Sequence, residues 1–363
     1  MPEFNAKVGR LSIRDGVPAD RDAVADLFNR AEPEIPLDRA AYAAAWDWLH
    51  ARNVVQPSDV IVAADEHGAL QGHVAMLPVA FERDGATTIA GWPCQLMVDD
   101  RQRRGLLYPV MVQQLLQFCR TRGYEFAYAL INRPRVLKAN IALGLRPIGI
   151  VPIWARPYRP ARIAGTLVGG RWGRAIASLA SPANLLFRIP YRPRRGVDVR
   201  AIERFESDID ALFAQTLVPR YRFVARRDAA TLNWRFFGLP ERGYRVYVAS
   251  AGGAIRGYVA LRMMPMKAFR ALAIADLWHD PAFPVAGDAL LALVHRLALA
   301  EQVDLAACLM PPGSPMAALL RRHWFLESPE SFTLTVYQPH RDLPYTGSSL
   351  ADWHPTWYDH DYV

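Results

Sequence analysis

Residues 89–119 constrain this chain more than any other stretch. Ile89–Val98 reads as a buried strand in which Cys94, Leu96 and Val98 alternate with Gln95 and Met97. Pro93 cannot donate to a ladder, so a bulge is expected in place of regular pairing. From Leu107 onward the apolar residues fall at helical spacing, with Leu107, Val110, Met111, Leu115 and Phe118 on one stripe. Pro109 lies in the first turn, where its missing N–H costs little. Between strand and helix runs Asp99-Asp100-Arg101-Gln102-Arg103-Arg104-Gly105. A helix start carries unpaired N–H groups and a partial positive charge, so it draws phosphate. Arg101, Arg103 and Arg104 add to that field, and Gly105 lets the backbone approach a ligand closely.

The elements around this stretch follow in order. Leu11–Arg14 is a strand and Pro18–Phe28 a helix with Val24, Leu27 and Phe28 inward. Glu32–Pro36 is a loop, and residues 38–52 form a helix carrying Trp46 and Trp48. Strands at Val60–Ala64 and Gly72–Phe81 flank a turn at Glu66-His67-Gly68, and Arg83-Asp84-Gly85 turns into the organising stretch. Arg122-Gly123 ends its helix. Phe126–Ile131 is a buried strand, Asn132-Arg133-Pro134 opens a helix that stops at Gly144, and Pro147–Ala155 is a last strand.

Gln102-Arg103-Arg104-Gly105-Leu106-Leu107 is similar to the Gln/Arg-x-x-Gly-x-Gly/Ala signature of GNAT-family N-acyltransferases, with Leu107 standing where the family has Gly or Ala. The element order across roughly residues 10–157 resembles that family, as does the closing turn Ala142-Leu143-Gly144-Leu145. The resemblance implies an α/β (α+β) fold, a mixed and mostly antiparallel sheet flanked by helices. It implies acetyl-CoA or another acyl-CoA as co-substrate and no metal. Gln102, Arg103, Arg104, Gly105, Leu106 and Leu107 would hold the pyrophosphate, Asn132 the pantetheine amide, and the backbone N–H of Met97 or Val98 the thioester oxygen. Two positions depart from the family. Asn140 stands where members often carry a Tyr that protonates the leaving thiolate, and Gln95 where relatives often carry a carboxylate. His73 and Tyr128, on neighbouring strands, are the remaining candidates for acid or base, although residues so placed more often serve a core. Trp46, Trp48 and Gln95 are candidates to line the acceptor cleft. Catalysis is then expected to rest on orientation and the oxyanion donor.

The second half repeats the first. Trp48 precedes Gly72 much as Trp234 precedes Gly257, and the glycine-bearing hairpins correspond at a period of about 185 residues. The expected organisation is therefore tandem: a GNAT-like acyl-CoA-binding domain at 1–157, a basic helical linker at 158–197, a second GNAT-like domain at 198–340 and a tail at 341–363. The second copy has Asp280–Asp288 in place of the arginine loop. Asp288 is expected to cap its own helix and to repel a pyrophosphate.

The net charge of +8 is unevenly placed. Arg156, Arg159, Arg162, Arg171, Arg174, Arg188, Arg192, Arg194 and Arg195 fall in one stretch with no acidic residue. Such a strip suits an acidic acyl carrier protein or peripheral contact with an anionic membrane, and nothing in the chain calls for nucleic acid. No apolar run reaches membrane-span length, no signal peptide is apparent, and Cys94, Cys119 and Cys308 lie in apolar contexts, which suggests a cytoplasmic protein with reduced thiols. Asp352, His354, Asp359 and Asp361 in the tail have the chemistry of metal ligands but no evident scaffold. The chain as a whole resembles tandem acyltransferases associated with bacterial surface-polysaccharide genes. The expected reaction moves an acyl group, acetyl by expectation, to the primary amine of an amino sugar, amino acid or peptide. The alternatives are carrier-protein-dependent transfer of a long acyl chain, and acyl-CoA binding without turnover.

Overall fold

The computed structural model describes residues 5–32, 38–103, 105–170, 179, 196–339 and 348–360. The chain forms two compact units, Met1–Gly149 with Thr333–Ser349, and Ile150–Phe332 with Leu350–Val363.

The first unit contains β1 (Asn5–Val8), β2 (Leu11–Asp15), α1 (Arg21–Ala31), α2 (Arg39–Trp46), a π-helical turn (Asp47–Ala51), β3 (Asp59–Ala64), β4 (Leu70–Arg83), β5 (Ala86–Val98), α3 (Leu107–Thr121), β6 (Phe126–Ile131) and α4 (Pro134–Ala142). β1 to β5 pair antiparallel in chain order. β6 runs parallel to β5, and Thr333–Tyr337 close the sheet antiparallel to β6. Period-two alternation gives β4 two faces. Val74 and Met76 join Ile13, Ile61, Val98, Met111, Leu115 and Phe118 in the core under α3. Gly72 lies on the same face. A Cβ there would come within 2.7 Å of the Met111 sulfur, so the glycine lets α3 lie close to β4. His73 and Ala75 face the other way, toward α2. Each large apolar side chain buried in this core contributes roughly 1.5–3 kcal/mol.

The last strand of the first half, β7 (Arg146–Pro157), crosses into the second unit, where Ile153–Pro157 pair antiparallel with β13 (Leu305–Leu309). α5 (Pro160–Val168) follows. Then come β8 (Asp198–Ile202), α6 (Asp208–Leu212), β9 (Phe223–Ala225), α7 (Ala229–Phe237), β10 (Tyr244–Ala251), β11 (Ala254–Met266), β12 (Phe269–His279), α8 (Pro284–Ala300), β13, α9 (Pro315–Arg322) and β14 (Leu326–Tyr337). This is the element order of the first unit again. In the observed units each half supplies the other's closing strand, and the chain from Leu350 onward belongs to the second unit. Alternation along a strand specifies which face is buried but not which sheet receives it, so the exchange has no local signature.

Asp288 does not cap α8. Pro284 occupies the first helical position, which proline favours, so the helix starts earlier than expected and Asp288 falls in its second turn. It accepts instead from His323 Nε2 at 3.0 Å and Arg322 at 3.2 Å. The strip after β7 is partly engaged by its own unit: Arg156 donates to His323 O, Arg159 to Gln302, and Arg162 pairs with Asp304. Arg171, Arg174, Arg188, Arg192, Arg194 and Arg195 lie outside the described residues.

The tail is an integral part of the second unit. Trp353, His354, Thr356, Trp357 and Asp359 are buried. Arg227, 1% exposed, reaches Asp276 at 2.8 Å, Asp359 at 3.0 Å and Thr356 Oγ1 at 3.1 Å, and lies over the Tyr358 ring. Asp276 also accepts from Tyr258 and Thr356. Thus Asp359 pairs with an arginine, and His354 packs on Tyr221 and Trp278. Among the described residues, no three His, Cys, Asp or Glu side chains converge as a metal set, and Asp361 lies outside them. Cys94, Cys119 and Cys308 are buried thiols, and no described helix is long and apolar enough to cross a membrane.

Candidate active site

The bulge anticipated from Pro93 lies two residues on. His73 is opposite Met97 but Ala75 is opposite Cys94, so β5 carries one extra residue against Val74. Gln95 takes up the irregularity at φ 50°, a left-handed conformation uncommon for a side-chain-bearing residue. The extra residue changes the expected alternation. Cys94, opposite Ala75, shares the α2 face with Gln95 and Met97, while Leu96 and Val98 pack toward α3.

The bulge also decides which N–H groups are available. Asp99 N–H donates to Gln71 O at 2.9 Å, so that facing pair is hydrogen-bonded. Antiparallel pairs alternate, which makes Gly72–Val98 the non-bonded pair. The Val98 N–H therefore points away from β4, toward the β6 side. There β5 pairs with β6 only at Ala90–Phe126 and Gly91–Ala127 among the described residues, so the two strands have parted before Val98 is reached. Met97, in the bonded pair, spends its N–H on the ladder.

The loop after Val98 is a 3₁₀ turn (Asp100–Gln102) leading to Leu106 and α3. Its arginines are less free than the sequence suggested. Arg101 pairs with Asp99, whose carboxyl is lowered to about 2 by that partner. Arg103 pairs with Asp100 and reaches Ala31 O. Arg104 lies outside the described residues. Gln102, Arg103 and Gly105 commit their N–H groups within the turn, which leaves those at the start of α3 for a ligand. A Cβ on Gly105 would meet nothing closer than Gln102 O at 3.4 Å, so the fold itself does not require glycine there. Leu107 is buried against Gly72, which explains a large residue where a small one was expected. Asn132 is exposed just past β6.

Asn140 on α4 has a phenol beside it after all. Tyr108, in the first turn of α3, donates its hydroxyl to Asn140 Oδ1 at 2.6 Å, and burial raises that phenol to about 12. Nothing local in the chain signals this pairing, because the two residues are on different helices.

The opposite face of the bulge holds a second group. His73 Nδ1 lies 2.8 Å from Gln95 O, and His50 Nε2 lies 2.9 Å from Gln95 Oε1. Trp46 packs on both rings, at 4.6 Å from His50 and 5.3 Å from His73. Tyr42, Trp46 and His50 are four residues apart and so share one stripe of α2 and the π turn. Burial holds His73 down to about 3, with His50 adding to the effect, and His50 to about 4. Both imidazoles are therefore neutral at pH 7. Of the expected residues, Trp46, His73 and Gln95 come together here. Trp48 is buried two positions out of phase with the stripe. Tyr128 packs edge-on against Phe81 and near Phe126, the surroundings of a core aromatic. His50 was missed: at helical spacing it reads as one more inward residue, and only the strand register shows what it meets.

No family model and no curated protein matches the sequence. Solved structures do. A GCN5-related N-acetyltransferase from Anabaena variabilis superposes with a TM-score of 0.62 at 10% identity, covering 90% of this chain and 72% of that one. N-myristoyltransferase of Saccharomyces cerevisiae with bound myristoyl-CoA superposes at 0.62 with 13% identity, over 92% and 83%. A probable N-acyltransferase of Enterococcus faecalis gives 0.57 at 9% identity, over 90% and 72%. At such low identities the likeness establishes the fold: this chain is built as the GCN5-related N-acetyltransferases and N-myristoyltransferase are.

Proposed function

We propose that the protein is an acyl-CoA-dependent N-acyltransferase, using its first unit to move an acyl group, acetyl in the simplest case, to the primary amine of an amino sugar, amino acid or peptide. The observation that carries this reading is the Val98 N–H, turned into the gap between β5 and β6 a few residues before the start of α3. A thioester carbonyl in that gap would find a preorganised donor, an interaction worth about 3 kcal/mol in the transition state. The pyrophosphate would rest on the N–H groups of Leu106, Leu107 and Tyr108, with Gln102, Arg103, Arg104 and Gly105 around it, and Asn132 would hold the pantetheine amide. The amine attacks the carbonyl carbon, the C–S bond breaks, the nitrogen gives up one proton to water, and the thiolate takes up one. Tyr108, kept protonated by burial, is the donor at hand once its hydroxyl turns from Asn140 Oδ1 to the sulfur. The N-acyltransferase neighbours, one of them with myristoyl-CoA bound, support the same class of reaction.

Release of free thiol from acetyl-CoA in the presence of a panel of amines tests the reading directly; absence of release with every amine and every acyl-CoA would overturn it. Gly105→Asp should lower CoA affinity at least a hundredfold in calorimetric titration, because a charge and a side chain then stand where backbone meets phosphate. The fold leaves room for the new Cβ, so melting temperature should hardly change. Tyr108→Phe should lower kcat by roughly one to two orders of magnitude with little effect on CoA affinity, as removal of a positioned acid does.

The basic strip after β7 favours a second donor, an acyl carrier protein. Replacing Arg171, Arg174 and Arg188 together by glutamine should then weaken carrier binding and flatten its salt dependence, measured by titration from low to physiological ionic strength. Unchanged binding would rule out the strip as a contact for the carrier.

A further inference from the structure

We propose that His50 and His73 form the seat of the acceptor's amino group, holding it as a neutral primary amine by both of its N–H bonds. This rests on the acyl-transfer reading above and adds the residues that choose a primary amine over other acceptors.

The argument begins with tautomers. A backbone carbonyl only accepts, so His73 Nδ1, 2.8 Å from Gln95 O, carries the proton and Nε2 presents a lone pair. His50 Nε2 faces the carbonyl oxygen of the Gln95 side chain at 2.9 Å, so Nε2 donates and Nδ1 presents a lone pair. Both lone-pair nitrogens are buried and have no hydrogen-bond partner among the described residues. The His50 and His73 side chains are 3% and 0% exposed, so bulk water does not satisfy them. Buried polar groups are normally paired, and two unpaired acceptors in one cluster call for a donor that arrives later. The ring centroids are 6.2 Å apart and the rings meet edge to face, close enough for one small group to touch both at ordinary hydrogen-bond lengths.

A primary amine has two N–H bonds and one lone pair. With both bonds held by the imidazoles, the lone pair is left for the thioester carbon. A hydroxyl or a secondary amine has one donor and would leave one imidazole unpaired. The cluster also sits beside the bulge: Gln95 bonds both histidines, and Val98 lies three residues further along β5. The left-handed backbone at Gln95 and the π turn that carries His50 are local departures of the kind found at functional sites. Tyr42, on the same helical stripe, adds a third buried polar atom without a partner, its hydroxyl. The surrounding burial keeps both imidazoles neutral and equally disfavours a cationic ammonium.

The test uses the full chain labelled with ¹⁵N-histidine, and two weakly basic probes that are uncharged at neutral pH. Methoxyamine has two N–H bonds, and N,O-dimethylhydroxylamine has one. In the free protein, His73 Nε2 and His50 Nδ1 should resonate as unprotonated ring nitrogens. Methoxyamine should shift both signals, and N,O-dimethylhydroxylamine should need about ten to a hundred times the concentration for the same effect. His50→Leu should remove most of that difference, and His50→Gln, which keeps an acceptor, should restore part of it. Protonated nitrogens at these two positions, or equal response to both probes, would overturn the proposal without the need for any variant. If the nitrogens respond as expected but no amine is acylated from any acyl-CoA, the acyl-transfer reading fails and the amine seat stands. Acylation with a His50→Leu enzyme that still prefers the primary amine as strongly would do the reverse.

Discussion

Replacing Arg227 with methionine should cost about 3–5 kcal/mol of stability and free the tail from the second unit. The guanidinium is 1% exposed and serves Asp276, Asp359, Thr356 and the carbonyl of Ala225. Its removal leaves two carboxylates buried without their counter-charge, the situation in which breaking a buried pair is most damaging. Asp359, already raised by burial, would take up a proton, and Asp276, now lowered chiefly by Arg227 against its own burial, would lose that support. Urea unfolding measures the loss. Limited proteolysis gives the second signature, cleavage within residues 348–360 that the native protein resists. The Arg227→Met, Asp276→Asn double variant should recover part of the stability, because it removes a stranded charge along with its partner. If the single variant unfolds at the wild-type urea concentration with its tail still protected, the network does not hold the tail.

Stability should also fall steeply in mild acid. His73 and His354 are lowered to about 3 and His50 to about 4, in each case chiefly by burial. A histidine whose folded value lies below its unfolded value of about 6.5 binds more protons when unfolded, so stability rises with pH across that interval. The contribution is complete above pH 6.5 and is lost as pH falls toward 4. At about 1.4 kcal/mol per pH unit of displacement, each histidine supplies roughly 3–5 kcal/mol of acid lability, and the three together rival the stability of a typical domain. Carboxylates such as Asp99, held near 2 by Arg101, act in a lower window and do not mask the effect. Melting temperatures should be nearly level from pH 8 to 7 and drop progressively from pH 6.5 to 4.5. His354→Phe, in a setting of Tyr221 and Trp278, should flatten part of the drop. A level profile down to pH 4.5 would contradict the assignment.

Much of this was legible in the sequence because it is local. The strand, basic turn and helix at 89–119 announce themselves through periodicity, Pro93 forecasts a bulge, and the spacing from Trp48 to Gly72 reappears at Trp234 to Gly257. What was not legible depends on distant partners. Arg101 and Arg103 read as free charge, yet Asp99 and Asp100 in the same turn engage them. Tyr108 and Asn140 belong to separate helices, and His50 gains its meaning only from the register that places Gln95 beneath it. The continuation of α2 as a π turn is a geometric adjustment that no residue type in Asp47–Ala51 dictates. Asp288 was misplaced for a simpler reason: Pro284 is itself a good helix start, and it moved the boundary.

The exchange of closing strands bears on how such a chain is made. β6 is bordered by Thr333–Tyr337, about two hundred residues further on. During synthesis the first unit must therefore wait, with one side of β6 unpaired, until the chain has been made as far as Thr333–Tyr337. Pairings this remote slow folding, because the loop must be closed before the contact repays it, and an unpaired strand edge invites association with other chains in the meantime. A fragment ending at the internal repeat boundary would carry that open edge permanently and should aggregate, however complete its own helices are. With the strands exchanged in this way, neither unit can complete its sheet without a segment from the far half of the chain.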